Sequence, residues 1–204
     1  MTVVWVVVGA LGVVALAIGL SYNRFVQQRN LIHDSWSNID TELRRRHDLI
    51  PNLVETVQGY AVHEREVLTE VTQARTAAVD SAVPADRVGR AEPTDAQAGA
   101  ENALAGSLRH LLAVAERYPD LKADRAFLAL QDELTNTEDR IQAARRFYNA
   151  NVRGYNQRVG SVPSNVIASV FGFRPERFFE VERVVRERPP TALSDGGLTD
   201  GGVS

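Results

Sequence analysis

The chain has no cysteine, a single methionine and, among its basic residues, a single lysine, Lys122. Without cysteine there are no disulfides, no thiolate metal sites and no thiol nucleophiles. The arginines that supply nearly all the positive charge are scattered and matched by acids, and the net charge is −3. That balance gives no general attraction to nucleic acid or to anionic lipid. Several catalytic signatures are also missing: no phosphate loop, no dinucleotide fingerprint and no Gly-x-Ser-x-Gly elbow. His63-Glu64 opens like a zincin helix, but Val67 stands where the second histidine is required. No Glu-x-x-His pair occurs, which removes the di-iron carboxylate bundle. No cofactor and no metal are expected.

Charge is absent from Thr2 to Tyr22 as well, and there the absence is informative. About 20 apolar residues in a helix span the ~30 Å hydrocarbon core of a bilayer. Trp5 and Tyr22 stand near the two ends, where amphipathic aromatics favour the interface. The rival is a cleaved signal peptide, with Ala15-Leu16-Ala17 imitating a cleavage site. Against it, no basic residue precedes the run, and the run exceeds the usual apolar region of such peptides. Arg24 and Arg29 follow the span, so the positive-inside rule predicts a short N-terminus outside and the bulk of the chain in the cytoplasm. The expected location is the cell membrane, with a single pass.

Beyond the span, the apolar positions Trp36, Ile39, Leu43, Ile50, Leu53, Val57 and Tyr60 fall on one helical face. Arg46 and His47 interrupt that seam, and Pro51 removes a backbone donor and crowds the carbonyl of His47, a defect of roughly 3 kcal/mol that usually kinks a helix. The pattern predicts a first soluble helix running to about Ala78. A linker over 79–95 follows, rich in proline, glycine and small polar residues. Thr94 or Asp95 can cap a second helix with Ala100, Leu104, Leu108, Leu111, Ala115 and Tyr118 at helical spacing, stopped by Pro119. A third helix is predicted over about Asp124–Val159, with Phe127, Leu130, Leu134, Ile141, Tyr148, Val152, Tyr155 and Val159 along its seam. Ser164 can cap a short apolar helix that Gly172 closes. The fold class is all-α: an N-terminal transmembrane helix (2–22), then an up-down-up antiparallel bundle of long helices within 23–180, plus a short C-terminal helix. The tail, 181–204, has little to bury and is expected to be disordered.

Two groups of residues stand out. Arg146-Phe147-Tyr148-Asn149 and Arg153-Gly154-Tyr155-Asn156 repeat one pattern seven residues apart, which returns matching residues to the same helical face. Either the repeat is a polar ladder for a ligand or partner, or its tyrosines pack their rings in the core and send their hydroxyls to an edge. With Arg46, Glu138 and Arg145 also near seam positions, a buried polar layer of Arg46, Glu138, Arg145, Tyr148 and Tyr155 is a candidate for fixing register. The second group follows from length. At 1.5 Å per residue the first soluble helix would be ~87 Å long, against ~36 Å for the second and ~54 Å for the third. The second helix, starting at the distal end of the first, would return only to about Pro51–Val54. Ile32, Trp36, Ile39 and Leu43 would then lack an intrachain partner, and burial by a second copy would recover roughly 1.5–3 kcal/mol per large side chain. This predicts a homo-oligomer, with Ala15 and Gly19 as a small-residue contact in the bilayer. The competing possibility is that Val166–Phe179 folds back over the seam.

The ordered motifs resemble those of the LemA family over most of the chain, from about Tyr22 to Phe179. They are Ser35-Trp36-Ser37, the run Arg45–Val54, Gly59–Glu64, Glu116–Lys122, Thr137–Ile141, Arg145–Asn149, Pro163-Ser164-Asn165 and Phe171-Gly172-Phe173. The family more often has lysine at the positions of Arg44 and Gln58 and phenylalanine at that of Val162. The resemblance implies a bacterial, membrane-anchored antiparallel helical bundle without an established biochemical activity. Three functional classes follow: a scaffold that self-associates or recruits partners without catalysis, a regulatory partner of membrane protease or envelope-stress machinery, or an enzyme using His47, Asp48 or His63.

Overall fold

The computed structural model describes residues 1–61, 63–82 and 93–179, and within them the fold is all-helical, without strands. Most of the expected linker and the expected disordered tail lie outside the described residues. Helix α1 (Thr2–Tyr60) begins with the apolar span, whose side chains touch almost nothing, and continues without a break into the bundle. It is long and apolar enough at its N-terminal end to cross a membrane.

The expected first soluble helix is in fact two. After Tyr60 the chain turns back, with Glu64 at the N-cap, and returns as α2 (Arg65–Ser81). The apolar spacing did not reveal the turn because α2 keeps the same phase, with Val67, Leu68, Val71 and Ala78 all buried. Only Gly59, a poor helix residue by ~1 kcal/mol, hinted at it. Glu64 secures the corner by accepting hydrogen bonds from Tyr118 Oη at 3.0 Å and Arg117 Nη2 at 2.9 Å. Helix α3 (Asp95–Ala115) then runs antiparallel to α2, placing His110 beside Glu70. The Thr94 side chain caps it by accepting from the Gln97 N–H. A short α4 (Pro119–Ala123), with proline in its first turn, leads to α5 (Arg125–Gly160). Asp124 caps α5 through the N–H groups of Ala126 and Phe127, and also accepts from Tyr60 Oη at 2.8 Å. Among the described residues the bundle therefore has four antiparallel legs rather than three.

Helix α5 resolves the length problem. Its 36 residues make it about 54 Å long, which matches α1 from Phe25 to Tyr60. The two pack antiparallel along that whole stretch, from the Tyr60–Asp124 contact at one end to the Phe25–Tyr155 ring contact at the other. Helices α2 and α3 cover only the distal half of this pair.

The proximal half is covered by the end of the described chain. Helix α6 (Ser164–Phe171) closes at Gly172, which adopts a left-handed φ of 73° that favours glycine. Ser164 does not cap this helix; it is the first helical residue, and its hydroxyl donates to the carbonyls of Arg158 and Ser161. Beyond α6, Phe173–Phe179 is an irregular strap laid along α1 and α5. Phe173 stacks on Phe25 with centroids 4.8 Å apart, and Phe179 meets Trp36 edge-on at 5.1 Å. Ile32, Trp36, Ile39 and Leu43 are consequently buried within one chain, in a cluster with Ile141, Tyr148, Val152, Tyr155 and Phe179. The expectation that this seam is left for a second copy is corrected: α5 and the strap fill it, as the fold-back alternative required.

The repeated Tyr-Asn pattern holds the strap. Asn149 accepts from the N–H of Phe179 at 2.9 Å and donates to its carbonyl at 3.1 Å. Asn156 does the same for Glu176, both at 2.8 Å. Seven helical residues rise about 10.5 Å, close to the ~10 Å covered by three residues of extended chain, so the heptad matches the spacing of the two gripped residues. Between them, Tyr148 Oη donates to the carbonyl of Arg177 at 2.9 Å. Replacing Asn149 and Asn156 together by alanine should strip hydrogen-exchange protection from the amides of Glu176 and Phe179. Protection in α2 and α3 should be retained. Unchanged protection at Glu176 and Phe179 would show that the ring contacts alone hold the strap.

Candidate functional site

Arg46 and His47 sit where the α1 seam calls for apolar residues, and both are buried. A buried guanidinium must be paired or its desolvation costs several kcal/mol. Arg46 is ion-paired through Nη2 to Glu101 of α3, and through Nη1 to Glu138 of α5 at 2.9 Å. His47 Nε2 lies 3.0 Å from the other Glu101 oxygen. Gln142 donates to Glu138 at 2.8 Å. Glu101 is only 4 % exposed, so its carboxylate is the buried centre of the group. Burial pushes the Glu101 carboxyl up, yet the hydrogen bond from His47 and the charge of Arg46 outweigh it and hold the group below its ordinary value of 4.5.

The backbone nearby is adapted to the same layer. Helix α1 runs through Pro51, which has no N–H to give to the carbonyl of His47. Arg75 of α2 supplies the missing donor, its Nε lying 2.7 Å from that oxygen. The proline thus frees an acceptor that ties α2 to α1 at the level of the charged group.

The layer divides the interior. On the distal side lies the cluster of Ile50, Leu53, Val57, Leu104, Leu108, Leu111 and their neighbours. On the proximal side lies the aromatic cluster around Trp36. Two openings reach the layer. One, of about 350 Å³, lies between α3 and α5 and is bordered by Arg46, Glu101, Asn102, Arg109, Glu138, Gln142 and Arg145. The other, of about 370 Å³, lies near α2 and is bordered by Asp40, His47, Asp48, Arg75, Gln97 and Glu101.

Of the residues expected in a polar layer, Arg46, Glu138 and Arg145 do meet at the first opening. Arg145 has its guanidinium carbon 5.0 Å from the Phe179 ring centroid, within cation–π range. Burial pulls its pKa below the ordinary arginine value; Glu138 opposes this and Arg46 adds to it. Tyr148 and Tyr155 are not part of the layer. Their rings pack on Trp36 and Phe25 in the aromatic cluster. Glu101 was missed. It occupies a buried seam position of α3 between Ala98 and Leu104, while the sequence pattern assigned that turn to Ala100. Pairing the charged gap in one seam with the oppositely charged gap in another would have found it. His47 and Asp48 both border the second opening, but His63 lies in the turn beyond Tyr60, so the three do not converge. Among the described residues, no group of three or more His, Asp and Glu is placed to hold a metal ion.

A long helix with an apolar N-terminal span, continuing into a four-legged bundle with a buried charge layer at its waist, defines a class of helical-bundle proteins fitted to a membrane location. The chain belongs to the LemA family, whose model matches residues 35–192. It is 27 % identical over 192 residues to two magnetosome proteins, both called MamQ, of Paramagnetospirillum magneticum, covering 85 % of this chain and 71 % of each of them. It is 25 % identical over 178 residues to Protein LemA of Metamycoplasma hominis, covering 84 % of this chain and 77 % of that protein.

If Glu101 holds the layer together, its contribution to stability follows its charge. Its carboxyl is depressed in the folded chain, so the contribution is complete above the ordinary value of 4.5 and is lost as pH falls through the depressed value. Glu101→Gln should cost about 3–5 kcal/mol near neutral pH, because Arg46 stays buried and loses a charged partner. The gap in urea unfolding free energy between wild type and E101Q should narrow as pH falls from 4.5 through the depressed value. A gap that stays constant as pH falls below 4.5 to the acid limit of the folded state would contradict a charged, depressed Glu101.

Proposed function

We propose that this chain is a single-pass membrane protein whose bundle recruits a protein partner and performs no chemistry of its own. Residues 2–22 are the anchor and 23–180 the working module, with the module in the cytoplasm by the arginines that follow the span. The observation that carries the reading is the opening between α3 and α5. Three arginines, Arg46, Arg109 and Arg145, face it against two glutamates, Glu101 and Glu138. Glu101 and Glu138 are taken up by Arg46, so one unit of positive charge is left over at the rim. A carboxylate presented by a partner complements that excess through Arg109 and Arg145, with the planar, bidentate geometry that arginine offers. The same pairing argues against catalysis: the buried acid and base are held by each other.

Self-association is the second form of scaffold, and it now rests on the span alone. Ala15 and Gly19 lie exposed on an open helical surface, with room at Gly19 for a close helix contact. A regulatory partnership with membrane protease or envelope-stress machinery is a special case of recruitment, defined by which protein is captured.

A photo-crosslinking residue at Asn102, in the full-length chain in native membranes, tests the reading. It should give a discrete adduct with a different protein, and Arg109→Gln with Arg145→Gln should weaken that adduct severalfold. An adduct of twice the chain's own mass would favour self-association through the bundle. Absence of any adduct at Asn102 would overturn recruitment at this opening.

A further inference from the structure

Helix α6 has an apolar face that the bundle does not use. Between Arg158 and Arg174 the chain carries no charged residue. Ala168 turns inward and is buried in the aromatic cluster, with Ile167 partly buried beside it. Val166 and Val170, four residues apart on α6, share the opposite side and are exposed, at 61 % and 73 %, and Val162, in the turn that leads into the helix, is exposed at 81 %. Phe171 is half exposed and lies with its ring 5.0 Å from that of Tyr22. Isolated exposed valines need no explanation, but two on one helical side joined to an exposed phenylalanine form a patch.

Its position says what covers it. Tyr22 ends the uncharged span and Trp5 stands near its start, and the 17 helical steps from one to the other rise about 25 Å, close to the thickness of the hydrocarbon core. Tyr22 is thereby placed at the headgroup level, where tyrosine favours the boundary between lipid and water. Phe171 and Phe173 both touch Tyr22, so α6 is held at that same level against the foot of the bundle. Through Phe171, the exposed side of α6 adjoins the foot of the exposed apolar span. Arg24, just after the span, and Arg174, just after α6, are both exposed, where headgroup phosphates would lie.

We infer that α6 is a second membrane contact, an interfacial helix whose Val166, Val170 and Phe171 side chains enter the boundary between headgroups and acyl chains. Buried apolar area drives such a contact, and the helix lies in the interface without crossing it. The inference rests on the reading of 2–22 as a membrane anchor. Its consequence is geometrical: a bundle fixed at Tyr22 by one helix alone could swivel and tilt, whereas two contacts hold its long axis to one side of the bilayer.

Because the chain has no cysteine, single cysteines report position cleanly. Full-length protein carrying Val166→Cys or Val170→Cys, labelled with an environment-sensitive fluorophore, is reconstituted in vesicles of phosphatidylcholine and phosphatidylglycerol. Nitroxide-bearing lipids and aqueous iodide are then compared as quenchers, with Leu128→Cys, exposed at the distal end, and Val13→Cys, within the span, as references. V166C and V170C should show blue-shifted emission, severalfold stronger nitroxide quenching than L128C, and loss of iodide quenching. If V13C is quenched by lipid while V170C behaves like L128C, the α6 contact is overturned and the anchor stands. If V13C also behaves like L128C, the anchor reading fails and this inference with it. Shielding of V170C from both quenchers would mean that protein covers the face, and would equally overturn the lipid contact.

Discussion

A guanidinium buried between helices cannot be left alone, and the arrangement of this bundle follows from how Arg46 is paired. Its two terminal nitrogens reach Glu101 on α3 and Glu138 on α5, so three helices are tied together at one level. Sliding α3 along α1 by even one turn would strand a charge in the interior, a penalty of several kcal/mol that leucine-on-leucine packing does not impose. The layer is therefore a register mark. It lies between two apolar clusters that would otherwise merge into one continuous seam with many nearly equivalent alignments. Pro51 serves the same level from the backbone side, since the acceptor it frees on His47 is taken by Arg75.

The two sides of that mark are built differently. On the distal side four helices surround the core. On the proximal side α1 and α5 continue alone, and the remaining cover is α6 and a strap without regular structure. An irregular segment cannot satisfy its own backbone, so its N–H and C=O groups need side-chain partners. Asn149 and Asn156 provide them, each serving one residue of the strap as both donor and acceptor. This lets the proximal core close within one chain, and it brings α6 to the foot of the span.

Much of this was readable in the sequence, and the failures share a physical cause. The apolar span, the Thr94 cap, the limits of α5 and the αL glycine at Gly172 each depend on local chemistry, and each is found close to where it was expected. The corner after Tyr60 was hidden because an apolar period reports a buried face and not the direction of the chain, and α2 continues the period of α1. The strap was hidden because extended chain gripped by side chains leaves no period of its own. Its signal lay instead in the repeated Tyr-Asn pattern of α5, recognised as a repeat but without its partner. The unpaired seam was inferred from the length of the second helix, when the third was the one long enough to fill it. Arg46 and Glu138 were recognisable as charges in apolar seams; Glu101 was lost because an alanine-rich helix gives little contrast with which to fix its phase.

The central claim is that the buried ion pair fixes register more than it adds stability. Arg46→Met with Glu101→Met replaces both charges by apolar side chains of similar volume, a change that is often neutral or stabilising. Spin labels at Ala103→Cys on α3 and Asp139→Cys on α5, both exposed, measure the separation of the two helices by pulsed electron resonance. The account predicts that the double substitution keeps helicity and unfolding free energy near wild type while the distance distribution broadens into several populations. A single narrow distribution at the wild-type distance would contradict it, and would assign the register to apolar packing alone.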